Sequence, residues 1–317
     1  MTGCENFIPA KLREDWRAYE NKWQDIQEIC LRVNQPVRLK INEQEETMQR
    51  NGKSVVYHER EIDEIFRYLC QDSVYAYEHQ RESGIMTVAG GHRVGITGEL
   101  VEVNSEKGHT YMAKYIRYLH IRIAHEKTGL CEPILPYVCR QEESEQGMEH
   151  DLYNILIVSP PGLGKTTMLR DLIRHFSSQG WNVGVADERG EIAGAYQGSA
   201  TLDCGSRSDI ITGGNKMTDV SLLVRAFAPQ IVAMDEIGTK EDADAIFFAS
   251  ISGCRVLATI HGQDFADIAK HSEMERVLNN KCFERILLLQ KDREKRRKLT
   301  ILNEMGEEMC GLRLDVC

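Results

Sequence analysis

The stretch "ILIVSPPGLGKTT", Ile155 to Thr167, decides the fold. An apolar run of strand length meets a glycine-rich turn, and a helical pattern follows, from about Lys165 to Gln179. The phosphate-binding loop pattern is G-x-x-x-x-G-K-[ST], and only its first position departs: Ser159 stands in place of the glycine, with Pro160 and Pro161 behind it. Such a loop works through backbone N–H groups gathered at a helix N-terminus. The donors come chiefly from its second half, Gly162, Leu163, Gly164, Lys165, Thr166 and Thr167, so the prolines stiffen the loop and remove few that matter. The whole run from Ser159 to Thr167 is therefore assigned to a nucleotide, ATP. Lys165 is expected to reach the β- and γ-phosphates and Thr166 to offer its hydroxyl to Mg²⁺. A glycine-rich turn before an ordinary helix would give the same letters; the apolar strand ahead of it favours the phosphate loop.

Three further segments belong to the same half of the chain. In "IVAMDE" an apolar strand ends in Asp235, placed to hold Mg²⁺, and Glu236 follows, placed to deprotonate a water that attacks the γ-phosphate. In "RVLATIHG" another strand delivers Thr259 and His261 toward the same sheet edge, giving His261 a nucleotide-sensing role. In "VADERGEIAG" Asp187, Glu188 and Glu191 follow a third strand, in a loop that faces the ligand crevice of a parallel sheet and offers carboxylates to metal or water. Strands alternate here with helices around Asp219 to Phe227 and in "DADAIFFASI", the pattern of a parallel α/β sheet. The tail, "FERILLLQ" and "KLTILNEM", reads as an added antiparallel hairpin whose turn is the basic "KDREKRRK".

The first half differs. Leu12, Trp16, Tyr19, Trp23 and Ile26 recur at helical spacing over Lys11 to Ile29. "CLRVNQPVRLKI" alternates about an Asn-Gln-Pro turn, as a β-hairpin does, and a second helix is expected over Glu61 to Glu78. "GIMTVAGGHRVGITGELV" and "YIRYLHIRIA" are strand-like. The expected organisation is an α+β N-terminal domain over 1–138, an acidic linker over 139–151 ("CRQEESEQGMEHD") and an ATPase domain over 152–317.

The composition is that of a globular chain of 317 residues, 42% hydrophobic and 28% charged. No apolar run approaches the ~18 residues of a membrane span, and the first residues lack a signal-peptide profile, so a cytoplasmic location is expected. The ten cysteines contain no C-x-x-C pair and read as reduced thiols rather than a metal or disulfide framework. A net charge of −10 disfavours nonspecific nucleic-acid binding.

Taken together, "SPPGLGKTT", "DERGE", "LVRAFAPQIVAMDEIG" and "ATIHG", with "EICLRVNQPVRL" and "GGHRVGITGE" in the first half, resemble the stage III sporulation protein AA family, within the type II and type IV secretion ATPase superfamily. The resemblance covers nearly the whole chain. It implies a RecA-like ATPase domain behind a smaller N-terminal domain, assembled as a homo-oligomeric ring, a hexamer. It also implies a peripheral dock on membrane-embedded components of a channel complex linking mother cell and forespore. Lys165 and Thr166 then correspond to the phosphate and Mg²⁺ contacts and Glu236 to the catalytic carboxylate. Glu188 and Glu191 fall in the acidic box, and His261 in the histidine box. The chain departs from secretion ATPases in carrying Asp235-Glu236 where they carry Gly-Glu, and in a histidine box shortened to "TIHG".

A ring ATPase can complete its site with an arginine. Of Arg93, Arg117, Arg122, Arg207 and Arg225, the preferred candidates are Arg225, ahead of the second motif strand, and Arg122, in "LHIRIAHE". Two competing readings are a nucleic-acid-dependent ATPase and a platform that binds ATP with little turnover; the acidic charge disfavours the first and Glu236 the second.

Overall fold

The computed structural model describes residues 4–42, 44–70, 84–105, 108–144, 147–195, 199–292, 294 and 296–313. The chain divides into two compact units, Met1–His125 and Glu126–Cys317.

In the first unit the N-terminal apolar repeat forms a tightly wound helical segment, Ala10–Asp25, which buries Trp16, Tyr19 and Trp23. It stops two residues after Trp23, because Ile26 already pairs as a strand. The elements that follow are β1 (Ile26–Arg32), β2 (Arg38–Ile41), β3 (Gln44–Thr47), α1 (Glu59–Leu69), β4 (Ile85–Val88), β5 (His92–Ser105) and β6 (Gly108–Arg122). They build a six-stranded sheet in the order β3-β2-β1-β6-β5-β4. β1 and β2 pair antiparallel, as the Asn-Gln-Pro turn implies. The expected helix over Glu61 to Glu78 begins two residues earlier, and its end at 71–78 lies outside the described residues.

The second unit starts ahead of the acidic segment. Residues 126–138 carry Cys131, Ile134 and Val138, all fully buried in that unit's core. Asp171 fixes them there, accepting hydrogen bonds from the backbone N–H groups of Gly129 (3.1 Å) and Cys131 (2.8 Å). Cys139–Ser144 and Gly147–Leu152, read from the sequence as a linker, pair as two antiparallel strands.

Beyond them run β7 (Ile155–Ser159), α2 (Lys165–Ser178), β8 (Val183–Asp187), β9 (Ser208–Thr212), α3 (Lys216–Phe227), β10 (Ile231–Ile237), α4 (Lys240–Ile251), β11 (Arg255–His261), β12 (Arg285–Lys291), β13 (Arg297–Asn303) and β14 (Glu308–Arg313). The sheet order is β9-β8-β10-β11-β7-β12-β13-β14. Its first six strands are parallel and the last two antiparallel. Strand β9 lies in what reads as a long polar connection; its residues are partly or fully exposed at the sheet edge, so no apolar run announces it. β7 is buried at all five positions, with Leu156 and Val158 in the core on one face and Ile155 and Ile157 in the core on the other. Burial on both faces is why the central strands are continuous apolar runs.

Candidate nucleotide site

Parallel strands put all their C-terminal ends at one sheet edge, and the motif residues collect there. The Ser159 Cα is aligned with that of His261 at the ends of β7 and β11. Ser159 is buried, and its Oγ donates to the Pro160 carbonyl at 2.8 Å. Gly162 and Gly164 both take left-handed backbone, φ +78° and +98°. A Cβ at Gly162 would meet nothing within 4 Å, and one at Gly164 only Arg297 Nη1, at 4.0 Å. The loop thus presents an open concavity, and Gly164 leads directly into α2 at Lys165. Leu163 packs against the core below, while Thr166 and Thr167 occupy the first helical turn, partly exposed.

The Lys165 side chain turns to the neighbouring strand, where Nζ lies 2.7 Å from Nδ1 of His261. The other ring nitrogen, Nε2, lies 3.1 Å from Glu236 Oε2. Lysine, imidazole and carboxylate therefore form one continuous polar chain. Burial holds the Lys165 ammonium below its usual pKa, against the pull of Glu236 and Glu191. Arg189 approaches the same Glu236 oxygen at 3.7 Å.

Glu236 reaches His261 because of a bulge. Between the aligned pairs Met234–Ala258 and Ile237–Ile260, β10 carries one residue more than β11. An extra residue bends a strand and re-aims its side chains, a device common beside active sites. Asp235 is left buried, 5% exposed, while Glu236 remains half-open at the edge.

Asp235 has a neighbour that the sequence reading did not single out, Lys216, the first residue of α3. Its buried Nζ sits 2.6 Å from Glu188 Oε2, 3.6 Å from Asp235 Oδ1 and 3.7 Å from Asp242 Oδ1. Burial pushes the Asp235 carboxyl up to about 7; Lys216 pulls it down, while Asp187, Glu191 and Glu188 add to the rise. Lys216 lies above its usual value despite burial, chiefly through Glu188. Asp235 Oδ1 is buried with no hydrogen-bond partner. A buried carboxylate oxygen without a donor, beside an open phosphate loop, fits a Mg²⁺ ion carried in with a nucleotide. Asp235 and Thr166 are the residues that would hold it.

The acidic box divides into two roles. Asp187 is fully buried and accepts from the backbone N–H groups of Ile192 (3.1 Å) and Ala193 (2.9 Å), so both its oxygens are engaged in shaping the loop. Glu188 pairs with Lys216, and the Glu191 carbonyl accepts from Arg170 Nη2 at 2.7 Å. Thr259 is buried inside β11, two residues short of the edge.

Within the second unit, Arg225 stands apart from this cluster, and the other preferred arginine, Arg122, belongs to the first unit. Arg225 is exposed in the last turn of α3, roughly 13 Å along the helix from Lys216 and near the opposite sheet edge. Arg122 is exposed at the end of β6 in the first unit, aligned with Arg93 on β5. Arg117 pairs with Glu59 at 3.0 Å. Arg207 is bonded through Nε and Nη2 to Asn182 Oδ1, at the start of β8. Among the described residues of the second unit, Arg189 lies beside Glu236 and Arg297 beside Gly164, and no spacing rule picks out either.

Comparison with known proteins bears on the family and the fold. A family model described as sporulation stage III, protein AA, matches residues 3–309. Stage III sporulation protein AA of Bacillus subtilis is 33% identical over 275 residues, covering 85% of this chain and 84% of that one. Among solved structures, the ATPase DotB of Yersinia pseudotuberculosis superposes with a TM-score of 0.58 at 12% identity, over 94% of this chain and 81% of that one. The pilus retraction motor PilT, solved with bound ADP, gives 0.52 at 11% identity over 96% and 83%. The fold is that of RecA-like secretion ATPases, a mixed α/β architecture with a parallel-strand sheet behind an N-terminal β domain. Among the described residues no helix is long and apolar enough to cross a membrane.

Proposed function

The chain belongs to the sporulation stage III, protein AA family, and from that premise we propose that it binds ATP with Mg²⁺ and hydrolyses it to energise a secretion-like channel complex of sporulation. The observation that carries this reading is the polar chain Lys165–His261–Glu236, built at the mouth of an open phosphate loop. Gly162 to Thr167 cradle the phosphates, and Lys165 leaves His261 to neutralise them. Bound Mg²⁺ supplies charge stabilisation to the transferring phosphoryl group. Glu236 orients a water and takes its proton, and His261 holds that carboxylate in place. Arg225 and Arg122 act, in a homo-oligomeric ring, a hexamer, from another domain or subunit. The ring docks peripherally, on the mother-cell side, on membrane-embedded components.

ATP turnover by the purified chain, compared with Lys165→Ala and Glu236→Gln, tests the chemistry. Turnover lost in both variants supports it; equal background rates in all three proteins, with and without the membrane components recovered by pull-down from sporulating cells, reduce the protein to a nucleotide-ordered platform.

A further inference from the structure

The outer face of the first unit's sheet carries a second group of converging ligand atoms. Along β1, Ile29 and Leu31 point to the core, so Glu28 and Cys30 share the other face. Along β6, Leu119 and Ile121 are buried, which turns His120 outward beside them. Cys30 and His120 are aligned cross-strand partners. One ligand atom from each of Glu28, Cys30 and His120 lies within 4.8 Å of the others, and all three residues are half-buried. Glu28 Oε2 already meets His120 Nε2 at 2.7 Å, and Lys40 Nζ stands 3.6 Å from the other carboxylate oxygen. On the far side of His120 the aligned residue of β5 is Gly95, so the directly opposite position carries no side chain.

Carboxylate oxygen, thiolate sulfur and imidazole nitrogen on two hydrogen-bonded strands are the donor set of a four-coordinate zinc ion with water in the fourth position. We propose that Glu28, Cys30 and His120 bind one Zn²⁺-class ion, at a site separate from the nucleotide loop. The ion staples β1 to β6 at the middle of the sheet. Lys40 then acts from outside the ligand set, fixing the carboxylate oxygen that does not bind. One thiolate and one carboxylate balance the two positive charges, so the loaded site is neutral. An ordinary cysteine thiol, with a pKa of ~8.5, is protonated at neutral pH, so loading releases that proton to solvent.

The test uses the full chain, stripped with a chelator and titrated with Zn²⁺ and, as a spectroscopic substitute, Co²⁺. The expected result is one ion per chain, a thiolate-to-cobalt charge-transfer band, and proton release to a weak buffer. Cys30→Ser removes the band, and Cys30→Ser and His120→Ala each weaken binding by at least about 100-fold; Cys139→Ser changes nothing. Zn²⁺ also raises the melting temperature of the parent chain and leaves that of Cys30→Ser unmoved, while the metal-free forms of both melt alike. Failure of the parent to bind, or a band that persists in Cys30→Ser, overturns the assignment.

Discussion

Lys165 Nζ lies 2.7 Å from Nδ1 of His261, although the two residues are 96 positions apart in the chain. The contact follows from strand order and the loop: β7 and β11 are parallel neighbours that end level, Ser159 beside His261, and the loop after β7 sets Lys165 at the start of α2 beside that edge. The imidazole meets Lys165 through Nδ1 and Glu236 through Nε2.

His261→Ala should therefore act on catalysis more than on binding. Loss of the group that aims Glu236 should lower kcat by roughly 10²-fold, the usual scale for misplacing a proton-transfer group, and leave the affinity for ATP little changed. Steady-state kinetics beside equilibrium nucleotide binding separates the two effects.

Lys216→Met should destabilise the second unit. Glu188, Asp235 and Asp242 would face one another without the buried ammonium, a loss on the order of 3–5 kcal/mol. Millimolar Mg²⁺ should restore part of the lost melting temperature in this variant and affect the parent less.

Asp171→Ala tests how residues 126–138 are held. The substitution strips hydrogen bonds from two backbone N–H groups and leaves Arg174, 2.8 Å away, without its carboxylate. A cost of roughly 2–4 kcal/mol is expected, read by denaturant unfolding, with faster amide exchange at Gly129 and Cys131.

His92 makes the first unit sensitive to acid. Its ring is fully buried against Phe7, with Nδ1 accepting from the Ala124 N–H at 2.9 Å. Burial, with His125 adding to it, lowers its pKa to about 4. An unfolded histidine takes up its proton near pH ~6.5, so between those values the unfolded chain binds more protons and stability rises with pH. The contribution is complete above pH ~6.5 and is lost as pH falls toward ~4, on the order of 3 kcal/mol. Melting temperature against pH should slope through this window in the parent and flatten in His92→Gln.

Much of the second unit is legible in the sequence because its strands are buried on both faces. "ILIV", "VGVA", "IVAM" and "RVLATI" are near-continuous apolar runs, and each motif follows one of them. Lys165, Glu236 and His261 meet for that reason. Strand β9 was hidden because an exposed edge strand carries no such signal. The boundary was hidden because Cys131, Ile134 and Val138 are too few and too widely spaced to announce a core, and the groups that tie their segment down are distant in sequence, Asp171 on Cys131 and Arg285 on Tyr137. Lys216 was hidden for a different reason. A lysine after "TGGN" reads as a helix start, and nothing local says that three carboxylates from three other segments surround it. The bulge at Asp235-Glu236 is likewise a property of the pairing of β10 with β11, which no single strand displays.

In the proposed mechanism Glu236 activates the water that attacks the nucleotide held by Lys165. Radiolabelled ATP added to the purified full chain with Mg²⁺, followed by recovery of the bound nucleotide, tests this step. The expected result is ADP on the parent chain, ATP retained intact on Glu236→Gln, and no nucleotide on Lys165→Ala. ADP recovered from Glu236→Gln at the parent's rate would contradict it.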